Sequence, residues 1–282
     1  MPDTVVTEEA LQFGEGGRLL GILTQARVPS GNARELPVFV FLNAGSLDRV
    51  GPSRLHVRLA RELASMGFSS LRVDLAGTGD SSRRPGLTNQ QSVAADYLEI
   101  VGVLNSRLGS VPLVLAGLCS GADNAIRLTL KEGRVVGLVL LDPICFPDDG
   151  FRAREIVRKY TNPARYVAWG KLRIKALTNP SADREELFDY LELRDLPTRQ
   201  QMREAFESIR QQQGRVLSVF TNYATLYYNQ VGQMGRVLEV ESYQQFCTEL
   251  FWPGAEHTYP LELYRRCLIE EIKTWANAYI RP

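Results

Sequence analysis

The chain has 282 residues, of which 44% are hydrophobic and 23% are charged, and its 33 basic and 32 acidic side chains leave a formal charge of +1. This composition is typical of a globular protein with enough apolar residues for a large core. It offers no diffuse positive field to hold nucleic acid, and no apolar run is long enough to cross a bilayer. We therefore expect no nucleic-acid partner, no membrane span and, without a signal-peptide pattern, a cytoplasmic location.

The first predicted element is a β-hairpin over Phe13 to Thr24, with glycines in its turn. Short apolar segments rich in Val, Leu and Phe then recur along the chain, as is typical of strands buried on both faces. These predicted strands are Val38–Asn43, Leu71–Leu75, Leu113–Ala116, Val136–Leu141, Val216–Thr221 and Thr248–Trp252.

Helical patterns lie between the predicted strands. Leu55, Leu59 and Leu63 recur at four-residue spacing in the first helix, a longer amphipathic segment covers about Asn89 to Leu108, and a last helix follows Pro260. Alternating strands and helices of this kind build a mainly parallel sheet with helices on both faces. We therefore predict the α/β fold class.

The interval from Phe146 to about Gln213 is too long and too rich in helix-favouring residues for a single crossover helix. We predict an inserted helical cap over 146–213, with the core formed by 1–145 and 214–282. The charge of the cap is segregated, because Phe151 to Lys175 contains only one acid, Glu155, among its basic residues Arg152, Arg154, Arg158, Lys159, Arg165, Lys171, Arg173 and Lys175. This segment is either a solvated helix face or a binding surface for an anionic part of the substrate or for an acidic partner.

Cysteine and histidine are scarce. The cysteines are far apart, without a Cys-x-x-Cys pair or partnering histidines, so we expect free thiols and predict no zinc site, no disulfide framework and no cofactor. They are Cys119, Cys145, Cys247 and Cys267, and the two histidines are His56 and His257. A mechanism that needs an imidazole must therefore use one of these two histidines.

A Gly-Leu-Cys-Ser-Gly motif at 117–121 directly follows a predicted strand and precedes a predicted helix. A strand-to-helix turn this tight strains its central residue and leaves almost no room for side chains two positions away. Centring the turn on Cys119 puts glycines at those positions, whereas centring it on Ser120 puts Leu118 and Ala122 there. We therefore predict Cys119 as the nucleophile, with Ser120 supplying a backbone N–H.

At this motif the chain resembles the α/β-hydrolase superfamily, with Gly-x-Cys-x-Gly in place of Gly-x-Ser-x-Gly. Outside the cap the resemblance covers nearly all of the chain, and the cysteine is similar to that of dienelactone-hydrolase-type and exosortase-system-associated members. Three further segments match it: Leu-Asn-Ala-Gly-Ser at 42–46 for the oxyanion loop, the Gly-rich turn at 74–81, and Gly-Ala-Glu-His at 254–257. The resemblance implies an α/β-hydrolase fold and the order nucleophile first, histidine last.

His257 is the candidate base, because it lies in a glycine-containing loop after the last predicted strand. A thiol at the N-terminus of a helix favours the thiolate, and a nearby imidazole can accept its proton. His56 lies inside the first amphipathic helix, where a packing role is expected. For Cys119 the alternative is a small buried residue that fills a gap in the core.

Cys119 and His257 would be two members of a catalytic triad, and the sequence leaves more than one candidate for the third, acidic member. The resemblance implies a carboxylate after the strand Val216–Thr221, but the chain reads Asn-Tyr-Ala there. Some relatives place the acid after the strand beside the nucleophile strand, where Asp142 stands here. We assign Asp142 the orienting role, with Asn222 as a neutral substitute and a Cys-His pair without a third member as the alternatives.

Backbone N–H groups of Ser120 and of the loop after the first parallel strand are predicted to form the oxyanion hole. Gly45 is the preferred donor in that loop, with Ala44 beside it. Residues predicted to bind substrate are Asn43, Asn222 and Tyr223. The turn at 74–81 is expected to shape the fold and not to react.

These residues predict acyl transfer, in which Cys119 attacks a thioester or ester and the acyl-thioenzyme is resolved by water or another acceptor. The expected substrate is a small-molecule acyl compound, for which coenzyme A or a carrier protein is a candidate carrier. Two alternatives stay open: a binding scaffold that lost the usual acid, and a non-covalent lyase or isomerase that uses His257 as base. The acyl group, the acceptor and the oligomeric state are not predicted.

Overall fold

The computed structural model describes residues 5–27, 36–131, 133–161 and 195–280. Within these residues the strands form one sheet in the order β1-β2-β4-β3-β5-β6-β7-β8. The strands are β1 (Val5–Phe13), β2 (Leu19–Arg27), β3 (Val38–Leu42), β4 (Ser70–Asp74), β5 (Leu113–Leu118), β6 (Val135–Leu141), β7 (Arg215–Thr221) and β8 (Cys247–Trp252). From β4 to β8 all neighbours pair in parallel, while β2 is antiparallel to both β1 and β4. Each predicted strand is confirmed to within two residues at its ends.

The α-helices of the described residues are α1 (Leu55–Ser65), α2 (Asn89–Leu108), α3 (Ser120–Thr129), α4 (Phe151–Thr161), α5 (Arg199–Gln211), α6 (Gln233–Leu238), α7 (Tyr243–Phe246) and α8 (Glu262–Trp275). The predicted start and end of α2 are both confirmed. Its start is set by a capping box, in which the Thr88 and Gln91 side chains each bond the other's backbone N–H. The same device starts α5 at Thr198 and Gln201.

The N-terminal hairpin is confirmed, with β1 and β2 in continuous antiparallel register from Val5 opposite Arg27 to Phe13 opposite Leu19. Its turn needs positive φ at Gly14, Gly16 and Gly17, a conformation that residues with a Cβ rarely adopt. The hairpin extends the sheet beyond β4.

The core lies on both faces of the sheet, as expected for parallel strands. On one face, apolar side chains of α1 and α8, such as Leu59 and Ile272, form a core cluster with sheet side chains such as Phe41 of β3. Side chains of α2 and α5, such as Ile100 and Phe206, cover the other face. All five residues of β3 and of β4 are buried, which explains the uninterrupted apolar run of β3. In β4 the apolar Leu71 and Val73 alternate with polar or charged residues. The fold is that of an α/β hydrolase.

The predicted cap is described only at its two ends, and residues 162–194 lie outside the described part of the chain. At one end α4 follows the loop after β6. At the other, α5 packs against α3, β6 and β7, and its Met202 and Phe206 belong to the core. Helix α5 thus belongs to the helical layer on the sheet, although the predicted boundary placed it in the cap. The division into core and cap otherwise stays a prediction.

Two basic side chains of the predicted cap, Arg154 and Arg158, have partners among the described residues. Arg154 pairs with Asp148 and donates to the Asn229 side chain, and Arg158 pairs with Glu155. The side chains from Lys159 to Lys175 lie outside the described residues. The choice between a solvated helix face and a binding surface for an anionic partner stays a prediction. No helix in the described ranges is both long and apolar enough for a membrane crossing.

Candidate active site

The turn between β5 and α3 holds Cys119 at φ 58° and ψ −122°, outside the regions that most residues occupy. A Cβ on Gly117 would overlap the backbone of Gly121, and a Cβ on Gly121 would lie 2.6 Å from the Asn43 carbonyl oxygen. Both glycines are therefore required by close approach of the backbone. This geometry is the one predicted for a turn centred on Cys119.

The structure brings Cys119, His257 and Asp142 together from the ends of three strands. Cys119 follows β5, Asp142 follows β6, and His257 lies in the loop after β8. The imidazole Nδ1 lies 2.7 Å from Asp142 Oδ2, and the same imidazole hydrogen-bonds the Cys119 side chain. Because parallel strands end at the same edge of the sheet, residues far apart in sequence meet there.

Asp142 is held rigidly in this arrangement. Its φ is 46°, its backbone N–H donates to Val219 at 2.8 Å, and its side chain is fully buried. Thr221 donates to Oδ1 through its backbone N–H and to Oδ2 through its hydroxyl, both at 2.6 Å. With the imidazole added, a buried carboxylate has the partners that it needs.

Thr221 was not identified from the sequence as part of the site. The feature that could have identified Thr221 is its position as the last residue of β7, beside the strand that leads to Asp142. A buried hydroxyl at a strand end next to a predicted acid is a natural partner for that acid. Its role could be recognised only when the two strands were known to be neighbours.

The pKa of His257 is raised from its ordinary value of 6.5 to about 9. Burial by itself lowers this pKa, but hydrogen bonds to Asp142 and Cys119, and the negative charge of both, outweigh the burial. The imidazole is therefore protonated near neutral pH. A protonated His257 donates through Nδ1 to Asp142 and presents its other ring nitrogen to Cys119.

Tyr223 forms one wall of the site. Its ring stacks on the His257 imidazole with centroids 4.0 Å apart and an angle of 24° between the planes. Asn222, considered above as a neutral substitute for the acid, is exposed, and the Nδ1 atom of His257 pairs with Asp142 instead. The structure thus brings Asp142, and not Asn222, to the imidazole; the substrate-binding roles of Asn222 and Tyr223 stay predictions.

The two segments predicted for the oxyanion hole lie next to each other. The Gly45 backbone N–H donates to Ser120 Oγ at 2.7 Å, which ties the loop after β3 to the first residue of α3. Ala44 is buried, and its carbonyl accepts the Leu47 N–H at 3.0 Å, closing a turn around Gly45. Gly45 has a φ of 55°, which suits a glycine in that turn.

Asn43 has its side chain engaged within the protein. Its amide group donates to the Leu47 carbonyl at 3.0 Å, and its Oδ1 accepts the Leu75 N–H at 2.7 Å. The side chain thus joins the loop after β3 to the end of β4. This position supports the loop that carries Gly45, and the predicted contact of Asn43 with substrate is untested.

A cavity of about 240 Å³ opens beside Gly45 and Ser120. Its walls combine apolar side chains from the end of β4 and from α2 with polar side chains from α2, α3 and the segment before α5. They include Leu75, Thr78, Asn89, Val93, Asn124 and Asp195. Among the described lining residues there is no lysine, arginine or histidine. The cavity therefore suits a compact group that carries no negative charge.

His56 lies away from this site, inside α1. It is 2% exposed and stacks on Phe41 with ring centroids 5.2 Å apart. Burial, with a smaller effect from Arg72, lowers its pKa to about 4, so the imidazole is neutral at pH 7. The expected packing role agrees with this position. No group of three or more potential metal ligands occurs among the described residues.

The turn at 74–81 wraps around the carboxylate of Asp74. Arg49 pairs with Asp74 and also with Asp80, at 2.8 Å for the latter. The Asp80 N–H donates to Asp74 at 3.2 Å, and a Cβ on Gly79 would overlap the Asp74 side chain. The turn therefore has internal partners for its buried charge, which fits the expected role in shaping the fold.

Comparison with known proteins places the chain in a family. The profile of the family described as serine aminopeptidase, S33, matches residues 49–215, which include the turn at Cys119 and Asp142. A human protein, Protein ABHD12B, is 28% identical over 109 residues, which cover 38% of this chain and 29% of that protein. The chain thus spans less than a third of the length of this curated relative.

Several solved structures share the fold over almost the whole chain. The esterase Pf2001 from Pyrococcus furiosus is 13% identical, with 98% of this chain and 92% of that chain covered and a TM-score of 0.58. Dienelactone hydrolase from Anabaena variabilis is 12% identical, with 98% and 99% covered and a TM-score of 0.58. Est1E from Butyrivibrio proteoclasticus, in complex with ferulic acid, is 14% identical, with 92% and 94% covered and a TM-score of 0.56. The chain belongs to the serine aminopeptidase, S33, family of the α/β-hydrolase superfamily, with a cysteine at the strained strand-to-helix turn.

Proposed function

We propose that this hydrolase works by acyl transfer through Cys119, using a thioester or ester substrate and passing through an acyl-thioenzyme. The observation that carries the proposal is the contact of the Cys119 side chain with an imidazole whose Nδ1 lies 2.7 Å from Asp142. A nucleophile, a base and an orienting acid linked in this order are the groups that covalent catalysis uses, which supports the proposal.

In the acylation step the Cys119 thiolate attacks the carbonyl carbon, and a carbon–sulfur bond forms. The π electrons of the carbonyl move to its oxygen, where the Ser120 backbone N–H at the start of α3 can stabilise the charge. When the intermediate collapses, the bond to the leaving thiolate or alkoxide breaks. The leaving group takes the proton of His257, which is bound at neutral pH because the pKa of this residue is about 9.

In the deacylation step His257 changes its role. Acylation removes the negative charge of Cys119 and its hydrogen bond, two of the effects that raise the pKa of His257. Burial then acts more strongly and favours the neutral imidazole, which can take a proton from water. The resulting hydroxide attacks the thioester carbonyl and releases the acid, restoring the thiolate. An amine or alcohol acceptor in place of water would give transfer instead of hydrolysis.

The cavity beside Gly45 and Ser120 supports a small acyl group as the part that is bound. Its volume of about 240 Å³ and its mixed walls suit a short chain with a polar substituent. The carboxylate of Asp195 and the lack of a described cation in the wall disfavour an acyl group with a free carboxylate. A carrier such as coenzyme A or a carrier protein, if used, would extend outside this cavity.

Intact-mass spectrometry tests the proposal. The wild-type chain is incubated with a panel of short acyl thioesters and p-nitrophenyl esters and quenched in acid. We expect one acyl adduct on wild type, located on Cys119 by peptide mapping, and none on Cys119→Ala. Cys267→Ala removes an exposed thiol of α8 and serves as the matched control, with an adduct equal to that of wild type.

The other outcomes decide between the alternatives. An undiminished adduct on Cys119→Ala would reject the proposed nucleophile. If no adduct forms and Cys119→Ala still turns over substrate, the chemistry would be non-covalent, with His257 as base. No adduct and no turnover, together with equal iodoacetamide labelling of Cys119 and Cys267 at neutral pH, would favour a binding scaffold.

A further inference from the structure

The hydroxyl of Ser120 occupies an unusual place in the site. Ser120 follows Cys119 and begins α3, so its backbone N–H is one of the helix donors without an acceptor in the helix. Its side chain accepts the N–H of Gly45 at 2.7 Å across 75 positions of sequence. The Ser120 side chain thus binds the N–H group of Gly45, which was the preferred partner of the Ser120 N–H in the predicted oxyanion hole.

This bond leaves one proton on the Ser120 oxygen. A hydroxyl can accept a hydrogen bond and donate its own proton at the same time. Among the described residues we find no acceptor for that proton, and both Ser120 and Gly45 line the 240 Å³ cavity. The O–H can therefore rotate toward a group bound in the cavity that Gly45 and Ser120 line.

We propose that Ser120 is a catalytic residue that stabilises the oxyanion twice, through its backbone N–H and through its side-chain O–H. This inference rests on the acyl-transfer function proposed above. The thiolate of Cys119 forms the bond to carbon, the carbonyl electron pair moves to oxygen, and Ser120 donates two hydrogen bonds to that oxygen without losing a proton.

Gly45 acts on the oxyanion through Ser120. Its N–H polarises the Ser120 oxygen, and a hydrogen bond accepted by a hydroxyl strengthens the bond that the hydroxyl donates. The helix start contributes in the same direction, since the positive end of the α3 dipole lies at Ser120. An alanine at position 120 would leave the backbone N–H in place and remove only the O–H donor.

A competing role for the hydroxyl is that of a placeholder. In that case the Ser120 side chain blocks the Gly45 N–H in the free enzyme and moves away when substrate binds. The two roles predict opposite effects of Ser120→Ala. If the hydroxyl is only a placeholder, Ser120→Ala would react as fast as wild type or faster, because the Gly45 N–H would be free to bind the substrate oxygen.

The test uses the full chain and a p-nitrophenyl ester of a short acid, with the pre-steady-state release of p-nitrophenol as the acylation rate. For Ser120→Ala we expect a rate about 10²-fold below wild type, the usual effect of removing one oxyanion donor. Ser120→Thr keeps a hydroxyl and should restore most of the rate. Ser106→Ala, at an exposed serine in the last turn of α2, is the matched control and should react like wild type.

Alkylation of Cys119 by iodoacetamide separates this role from a structural one. Alkylation displaces iodide and forms no oxyanion, so Ser120→Ala should alkylate at the wild-type rate if only the oxyanion donor is lost. Equal loss of acylation and alkylation would reject the proposal, because it would show a displaced or unfolded nucleophile. Acylation of Ser120→Ala within about threefold of wild type would also reject it.

Failure of the proposed function gives a different result. If wild type shows no burst of p-nitrophenol and no acyl adduct on Cys119, the acyl-transfer function is wrong, and the role of Ser120 falls with it. If wild type forms the adduct and Ser120→Ala forms it equally fast, only the role of the hydroxyl is wrong.

Discussion

Two fully buried carboxylates lie at the ends of strands in the same sheet, and they have different partners. Asp142 follows β6 and binds Thr221 and the imidazole of His257. Asp74 ends β4 and binds the side chain and backbone N–H of Arg49 and the backbone N–H of Asp80 in its own turn. We call Asp142 with His257, Thr221 and Cys119 the elbow cluster, and Asp74 with Arg49 and the residues of 79–80 the turn cluster.

The difference between the clusters lies in whether the partner can change its charge. Arg49 keeps its proton at every pH at which the protein is folded, so the turn cluster has one state. His257, whose pKa is about 9, can lose its proton while the protein is folded, so the elbow cluster has two states that differ in charge. A buried carboxylate with a permanent partner stabilises structure, and one with a titratable partner can take part in chemistry.

The largest expected effect is that of Asp142→Asn on activity. The new amide would donate to His257 Nδ1 and move the imidazole proton to the nitrogen that faces Cys119, which removes the base. We expect kcat/KM for a p-nitrophenyl ester at pH 7 to fall about 10³-fold, less than the ~10⁴-fold of a serine triad because a thiol needs less help. A fall of less than threefold would show that Cys119 and His257 work without the acid.

Asp74→Ala should affect stability instead. It leaves Arg49 and two backbone N–H groups without their buried acceptor. We expect the free energy of unfolding in urea to fall by about 3 kcal/mol, the low end for breaking a buried ion pair, because Arg49 is partly exposed. Folded Asp74→Ala should still be alkylated at Cys119 at the wild-type rate. A slowed alkylation would mean that the two clusters are coupled.

Gly79→Ala tests the packing of the turn cluster. Gly79 has a φ of 53°, and an added Cβ would overlap the Asp74 carboxylate. Gly86→Ala is the matched control, because Gly86 has a φ of 78° with no atom within 4 Å of the added Cβ. We expect a loss of about 1 kcal/mol for Gly86→Ala from backbone strain alone and about 2 kcal/mol for Gly79→Ala. Equal losses measured by urea unfolding would show that Asp74 moves aside without cost.

The smallest effect is the response of His257 to modification of Cys119. With only two histidines in the chain, NMR titration should show one imidazole with a pKa of about 9 and a second, His56, with a pKa of about 4. Alkylation of Cys119 removes its charge, so the pKa of His257 should fall by at least about one unit, equivalent to about 1.4 kcal/mol, while that of His56 stays. An unchanged His257 titration would mean that the thiolate is not its partner.

The raised pKa of His257 also sets the sign of a pH effect on stability. Its proton is bound more tightly in the folded chain than in the unfolded chain, where the pKa is 6.5. Protonated His257 therefore stabilises the fold fully below pH 6.5, and this contribution is lost as pH rises through about 9. Wild type should exceed His257→Ala in stability more at pH 6 than at pH 10, as urea unfolding at the two pH values can show.

Local features of the sequence were enough to predict the alternating strands and helices, the hairpin and the strained turn at Cys119. Each depends on residues within a few positions of one another, such as the glycines two places before and after Cys119 that backbone contact requires. The scarcity of histidine narrowed the base to His56 or His257, and the burial of His56 in α1 agrees with the role expected for it.

Other features depended on which segments meet in space. The choice between Asp142 and Asn222 was open in the sequence, because both follow strands that end near the nucleophile, and the loop after β8 brings His257 to Asp142. Helix α5 lies on the core because β6 and β7 are neighbours that it must connect. The bond from Gly45 to Ser120 joins two distant loops. Sequence patterns encode local backbone preferences and burial, whereas hydrogen bonds between strand ends are decided only when the sheet has assembled.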